Sequence, residues 1–168
     1  MRYASGGAHD GRRGRRLRSL EVHDVPANLL TIEVTESSVM TDVARATTVL
    51  DRLRALGVKI SVDDYGTGYS SLAYLRRLPM TELKIYRSFI TNLLIEPDDE
   101  AIVRSTIDLA KHLGLQVVAE GIQAAPVAAR LHTLGCHLGQ GYGFSRPLPL
   151  SKFDAWLSIA PHRPATLI

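Results

Sequence analysis

Two adjacent carboxylates stand where an apolar segment meets a glycine-rich turn. Asp63 and Asp64 follow the alternating apolar residues of segment 58–62, and segment 65–72 contains two glycines. Proteins of the α/β class place their chemistry where parallel strands end. Adjacent carboxylates repel unless a cation offsets their charge, so a divalent metal is one natural partner. An Asp-rich turn that caps the next helix is the other interpretation, and this pattern leaves both open.

The elements that must position these carboxylates alternate along the chain. The residue pattern predicts strands at 29–35, 58–62, 82–85, 115–119 and 138–142, and helices at 42–55, 70–78, 100–112, 125–134 and 151–159. Repeated βα units with apolar strands predict a parallel sheet covered by helices. A polar residue lies within or at the end of each of five strands: Glu33, Asp63, Lys84, Glu120 and Gln140. Their convergence favours a (β/α)₈ barrel over a flat sheet, whose outer strand ends need no such groups.

Composition indicates one globular domain without a membrane span. The chain has 168 residues, 45% of them hydrophobic, and contains no apolar run long enough to cross a bilayer. Six arginines and one acidic residue lie in the first 20 positions, so the remainder is slightly acidic despite the net charge of +3. We expect a disordered basic tail at 1–24, a folded part at 25–160 and a short tail at 161–168. The basic tail could contact nucleic acid or an anionic surface, but a solvated tail is the simpler interpretation, and we expect no nucleic acid partner.

Five motifs, in order and at suitable spacing, resemble those of EAL domains, the barrel phosphodiesterases that linearise the bacterial second messenger cyclic di-GMP. The segments are 32–37, 63–72, 83–85, 117–121 and 135–142, which read IEVTES, DDYGTGYSSL, LKI, VVAEG and GCHLGQGY. The resemblance covers about 29–149. It implies part of a (β/α)₈ TIM-type barrel that lacks the first strands, since a complete barrel needs about 250 residues.

The resemblance also implies roles for individual residues. It implies four ligands of a two-cation site that holds Mg²⁺ or Mn²⁺: Glu33, Asp63, Asp64 and Glu120. Lys84 would hold the attacking water or the phosphate, and Gln140 would assist near the same centre. Glu120 thus counts among both the metal ligands and the catalytic residues. Glu36 corresponds to the family's glutamate that supports the glycine-rich loop.

Several positions depart from the family pattern. Tyr86 stands where the family has an aspartate, Gln123 where it has a glutamate, and His137 where it has an aspartate. The family's opening Glu-Ala-Leu strand and a later metal-binding asparagine have no counterpart before position 29. We therefore expect an incomplete metal site and little or no hydrolysis by this chain alone.

Three hypotheses follow for the function and its partners. The chain is an EAL-type phosphodiesterase acting on cyclic di-GMP, a degenerate EAL domain that binds a nucleotide or a protein without chemistry, or a remnant of a longer gene. Open strand edges favour a homodimer or pairing with another EAL-type protein. Cys136 is the only cysteine, which excludes an internal disulfide and fits a cytoplasmic location.

Overall fold

A computed structural model describes residues 2–4, 20, 22–66, 76–136 and 138–159. The chain divides into two compact units, Met1–Glu82 and Leu83–Ile168. Both combine strands with covering helices, and every strand pair with a determined register is parallel. The predicted α/β class is therefore confirmed. Among the described residues, no helix has the length and apolar character needed to cross a membrane.

The first unit contains three parallel strands in chain order. They are β1 (Arg2–Ala4), β2 (Thr31–Thr35) and β3 (Lys59–Tyr65). A 3₁₀ turn at Ala27–Leu29 precedes β2, and helices α1 (Glu36–Met40) and α2 (Val43–Ala55) connect β2 to β3. The Asp42 side chain caps α2 by accepting a hydrogen bond from the Arg45 backbone N–H at 3.0 Å.

The core of the first unit lies between one face of β2 and β3 and the helices. Ile60 and Val62 of β3 are fully buried and pack with Val39 of α1 and Leu50 of α2. Because side chains alternate along a strand, the odd-numbered residues of β2 and β3 occupy the opposite face. That opposite face carries the candidate site residues of this unit.

The second unit contains, in spatial order, all but the first residue of β4 (Glu82–Ile85), then β5 (Gln116–Glu120) and β6 (Leu138–Gln140). Its helices are α3 (Arg87–Thr91), α4 (Pro97–His112), α5 (Ala125–Leu134) and α6 (Leu150–Ile159). Helix α4 has Pro97 and three acidic residues in its first turn and two basic residues in its last, an arrangement that favours the helix at both ends. Ile85, Ile107, Ala119 and Leu131 form the centre of the apolar core.

Most predicted elements agree with the structure to within a few residues, but three short ones were missed. Strand β1 lies within the segment predicted to be a basic tail and pairs with β2, with Arg2 opposite Thr31. Helices α1 and α3 have five residues each, too few to produce a helical period in the sequence. Most of the predicted basic tail, most of the predicted helix at 70–78 and the tail at 161–168 fall outside the described residues.

Candidate functional site

One face of β2 and β3 collects the polar residues of the first unit. The register pairs Glu33 with Ser61 and Thr35 with Asp63, which places these four residues on the same face. Glu33 is 8% exposed and Ser61 is fully buried. The strand pair therefore brings together two of the sequence-predicted residues, Glu33 and Asp63, and adds a buried hydroxyl that the sequence analysis did not consider.

Asp64 does not follow the strand alternation. Its φ is +57°, in the left-handed region, and its backbone N–H donates a hydrogen bond to Asp63 Oδ1 at 3.0 Å. Aspartate enters this region more readily than most residues, yet the conformation still costs free energy, and such strain concentrates at functional sites. The two adjacent carboxylates belong to the last three residues of β3 rather than to the loop after it. Because the backbone of Asp64 is left-handed, its side chain does not follow the regular alternation of the strand.

Glu36 connects the start of α1 to the end of β3. It is 4% exposed, and its Oε2 accepts a hydrogen bond from the Gly66 backbone N–H at 3.2 Å. Gly66 itself has φ +94°. Burial, together with the negative charge of Glu36, raises the pKa of the neighbouring Tyr65 phenol. This contact is the one that a loop-supporting glutamate would make, although residues 67–75 of the loop fall outside the described residues.

Three polar residues of the second unit meet at the ends of their strands. Glu120 and Gln140 are register partners on β5 and β6. The Lys84 ammonium, whose side chain is 3% exposed, forms an ion pair with Glu120 Oε1, and Gln140 Nε2 donates to the same oxygen at 2.5 Å. Hydrogen bonds to an ionised group are stronger than neutral ones, so this arrangement fixes the orientation of the Glu120 carboxylate.

A cavity of about 550 Å³ opens beside this cluster in the second unit. Its lining includes Glu120 and Gln140 together with residues that the sequence analysis missed: Arg87, Thr91, Tyr142, Arg146, Phe153 and Trp156. The Arg146 guanidinium lies over the Tyr142 ring, 4.9 Å from its centroid. The size falls within the range of small-molecule sites. Isolated arginines and aromatics carry no spacing signal, so no sequence pattern would have grouped them.

A glycine is required where β6 leaves the cluster. A Cβ on Gly141 would lie 2.0 Å from the Ile122 carbonyl oxygen and 2.4 Å from its nitrogen. The Ile122 N–H donates to the Gln140 carbonyl at 3.1 Å, and the Gly143 N–H donates to the Ile122 carbonyl at 2.9 Å. The backbone around Ile122 therefore holds the end of β6, and with it Gln140, in place.

The three departures from the family pattern have different surroundings. Tyr86 precedes α3 as its N-cap residue and makes an edge-to-face contact with Phe89, with ring centroids 6.4 Å apart. Gln123 is exposed and lines the cavity. His137 falls outside the described residues.

The donor chemistry of the first unit fits a hard cation, since carboxylate oxygens are the ligands that Mg²⁺ and Mn²⁺ prefer. Glu33 and Asp63 share a face that also carries a buried hydroxyl. Within the part of the chain that the structure describes, no three His, Cys, Asp or Glu residues form a group that could hold a metal ion. The described carboxylates therefore have the chemistry of Mg²⁺ or Mn²⁺ ligands, but they do not form a complete set of ligands around one point.

Comparison with known proteins places the chain in a family. The EAL domain family model matches residues 9–147. The chain belongs to the EAL domain family. This confirms the resemblance seen in the motifs, and the match begins inside the segment predicted to be a basic tail.

Curated and solved EAL proteins are similar over most of this chain. The cyclic di-GMP phosphodiesterase NbdA of Pseudomonas aeruginosa is 47% identical over 139 residues, which is 83% of this chain and 18% of NbdA. The solved PaMucR phosphodiesterase, a c-di-GMP complex, is 43% identical with a TM-score of 0.81, covering 87% of this chain and 59% of that one. Klebsiella pneumoniae BlrP1, solved with manganese and cyclic di-GMP, is 34% identical with a TM-score of 0.76, covering 83% and 36%.

These matches confirm the fold but cover only part of each relative. The chain spans about a fifth of the length of the curated relatives that it matches. TM-scores of 0.76 and above show that this EAL chain has the fold of the corresponding part of solved EAL proteins. The predicted fold class, α/β of the EAL barrel type, is thereby confirmed.

Proposed function

We propose that this EAL chain binds cyclic di-GMP and hydrolyses it to the linear dinucleotide with the help of divalent cations. The observation that carries the proposal is the contact of Lys84, Glu120 and Gln140 at the ends of β4, β5 and β6. The name of NbdA and the ligand in the PaMucR complex support the choice of substrate. The BlrP1 complex supports the choice of a divalent cation.

The metal-binding residues in this proposal are the four that the family resemblance indicates: Glu33, Asp63, Asp64 and Glu120. Mg²⁺ or Mn²⁺ would supply an ionised water as nucleophile and would offset charge on the phosphodiester. Glu33 and Asp63 already share one strand face, which suits a common ligand role. The left-handed backbone of Asp64 orients its carboxylate differently from that of Asp63.

Lys84 and Gln140 prepare Glu120 for this role. The Lys84 ammonium is buried, so its positive charge acts at low dielectric and stabilises a negative Glu120. Gln140 restrains the carboxylate from the neighbouring strand. As water attacks the phosphorus and one P–O ester bond breaks, the Lys84 charge would also stabilise negative charge on the phosphoryl oxygens.

The cavity beside Glu120 suits an anionic, aromatic ligand. Arg87 and Arg146 supply positive charge, while Tyr142 and Trp156 supply ring faces. Phosphates favour guanidinium partners, and nucleobases stack on aromatic and guanidinium planes. This composition supports binding of a cyclic dinucleotide in the second unit.

A second candidate function is nucleotide binding without turnover. The observation that favours it is Tyr86, which directly follows β4 and its Lys84 and places a phenol where the family has a carboxylate. Losing one charged group at such a site lowers rates by orders of magnitude. The expectation of weak hydrolysis therefore remains a prediction, and Tyr86→Asp should raise turnover if the phenol is what limits it.

The remaining sequence predictions belong to the same proposal. We infer a cytoplasmic location, since the proposed substrate is a bacterial second messenger and the single cysteine fits a reducing compartment. We also infer pairing with a second EAL-type chain. Sedimentation over a wide concentration range tests this, because a monomer at all concentrations would contradict it.

Turnover and binding of cyclic di-GMP test the two candidate functions together. Wild type, Glu120→Gln and the matched control Glu100→Gln are compared with Mn²⁺ or Mg²⁺, by chromatography of the linear product and by calorimetric titration. Phosphodiesterase function predicts turnover that falls at least about 100-fold in Glu120→Gln and is unchanged in Glu100→Gln. Binding without turnover in wild type would favour the second candidate. Absence of both from a sample that melts cooperatively would refute both.

A further inference from the structure

The hydroxyl of Ser61 is a buried polar group that the proposed function does not use. Ser61 is fully buried in β3, and its Oγ has no hydrogen-bond partner among the residues that the structure describes. A buried hydroxyl without a partner loses its hydration and gains nothing in return. Native proteins rarely keep such a group unless a ligand, a water or a catalytic role accounts for it.

The position of Ser61 indicates which groups the hydroxyl serves. It is the register partner of Glu33 on β2, and it lies two residues before Asp63 on the same strand face. Neighbouring strands are about 4.8 Å apart, so a serine hydroxyl can reach a glutamate carboxylate beside it. The other face of β3 carries Ile60 and Val62, which pack in the apolar core.

Another hydroxyl on this face, that of Thr35, is already engaged. Thr35, the register partner of Asp63, uses its Oγ1 to accept a hydrogen bond from the Ser38 N–H at 3.4 Å, and so caps α1. Unlike Thr35, Ser61 therefore has no structural task for its hydroxyl in the described part of the chain.

We propose that Ser61 is a positioning residue whose hydroxyl donates to the Glu33 carboxylate when that carboxylate binds the divalent cation. The inference rests on the proposed function, because it takes Glu33 as a metal ligand. A carboxylate has two oxygens, so one can bind the cation while the other accepts the hydrogen bond. Hydrogen bonds of this kind orient metal ligands, and their loss lowers metal affinity by about 10- to 100-fold.

Mn²⁺ binding by Ser61→Ala tests the proposal without any activity assay. Free Mn²⁺ is measured by electron paramagnetic resonance during titration of the full chain with Mn²⁺ alone. Urea unfolding in EDTA reports the stability of the metal-free protein. The control is Ser105→Ala, the same change at an exposed serine of α4 whose Oγ bonds the Ala101 carbonyl at 2.7 Å.

We expect Ser61→Ala to lower the Mn²⁺ affinity without lowering the stability of the metal-free protein. Ser61→Ala should weaken Mn²⁺ binding about 10-fold, while its stability in EDTA stays equal to wild type or rises, because no hydrogen bond is lost. Ser105→Ala should bind Mn²⁺ as wild type does. If Ser61→Ala does not fold, Ser61→Cys replaces the hydroxyl with a somewhat larger and poorer donor and should show the same loss of affinity.

Two other results would overturn the inference and can be told apart. Wild-type Mn²⁺ affinity in Ser61→Ala, or in Ser61→Cys where the alanine variant does not fold, would show that the hydroxyl does not position the ligand, and the proposed function would stand. No Mn²⁺ binding by folded wild type would remove the proposed function and this inference together.

Discussion

Gly141→Ala should be the most damaging single-methyl change next to the Glu120 cluster. The added Cβ would lie 2.0, 2.4 and 2.7 Å from the carbonyl oxygen, nitrogen and carbonyl carbon of Ile122. Ordinary contacts between carbon atoms begin at about 3.5 Å, so the backbones of residues 141 and 122 must separate by more than about 1 Å. All three atoms belong to the main chain, so no side-chain rotation relieves the clash.

The magnitude follows from what that separation breaks. Two backbone hydrogen bonds join Ile122 to Gln140 and Gly143, and each contributes about 1 kcal/mol net. Overpacking adds about 1–3 kcal/mol. The expected loss of unfolding free energy is therefore roughly 3–5 kcal/mol, which in a chain of this size lowers Tm by about 10 °C.

Urea and thermal unfolding followed by circular dichroism measure this loss, with Gly114→Ala as the matched control. Gly114 has φ +68°, and a Cβ there would meet no atom within 4 Å. Its replacement costs only the left-handed conformation, about 1 kcal/mol. A Gly141→Ala variant that is no less stable than Gly114→Ala would refute the close approach of Ile122 to β6.

Three further predictions concern titration and backbone strain. Burial raises the pKa of the Cys136 thiol from 9.0 to about 11. The unfolded chain loses this proton first, so in urea titrations stability should fall more steeply between about pH 9 and 11 in wild type than in Cys136→Ala. Hydrogen bonds from Arg130 and, to a lesser extent, Arg104 lower the pKa of Glu100 below 4.5. The loss of stability caused by Glu100→Gln should therefore be largest above pH 4.5 and should shrink as the pH falls through the lowered pKa of Glu100. A loss of stability that does not depend on pH would contradict the ion pair. Because Asp64 has φ +57°, Asp64→Gly should be about 1 kcal/mol more stable than Asp64→Ala in urea unfolding, and equal stabilities would argue against the left-handed turn.

Several residues show how far the sequence could lead. The alternation before Asp63 and the apolar periods of α2, α4 and α5 predicted their elements, because these periods are properties of neighbours in the chain. Motif order predicted the family, since five spaced motifs rarely coincide by chance. The loop-supporting role of Glu36 and the ligand roles of Glu33, Asp63, Asp64 and Glu120 remain predictions, although the Glu36 contact with Gly66 agrees with the first.

By itself, then, the sequence determined the α/β class, the order of the strands along the chain and the EAL membership. Only the tertiary structure placed β1 beside β2, turned Asp64 into the left-handed region and brought Lys84 and Gln140 onto one oxygen of Glu120. It also enclosed the Ser61 hydroxyl and pressed Ile122 against Gly141. The reason is physical: periodicity and propensity act between residues close in the chain, whereas these contacts depend on strand register and backbone approach between residues far apart in it.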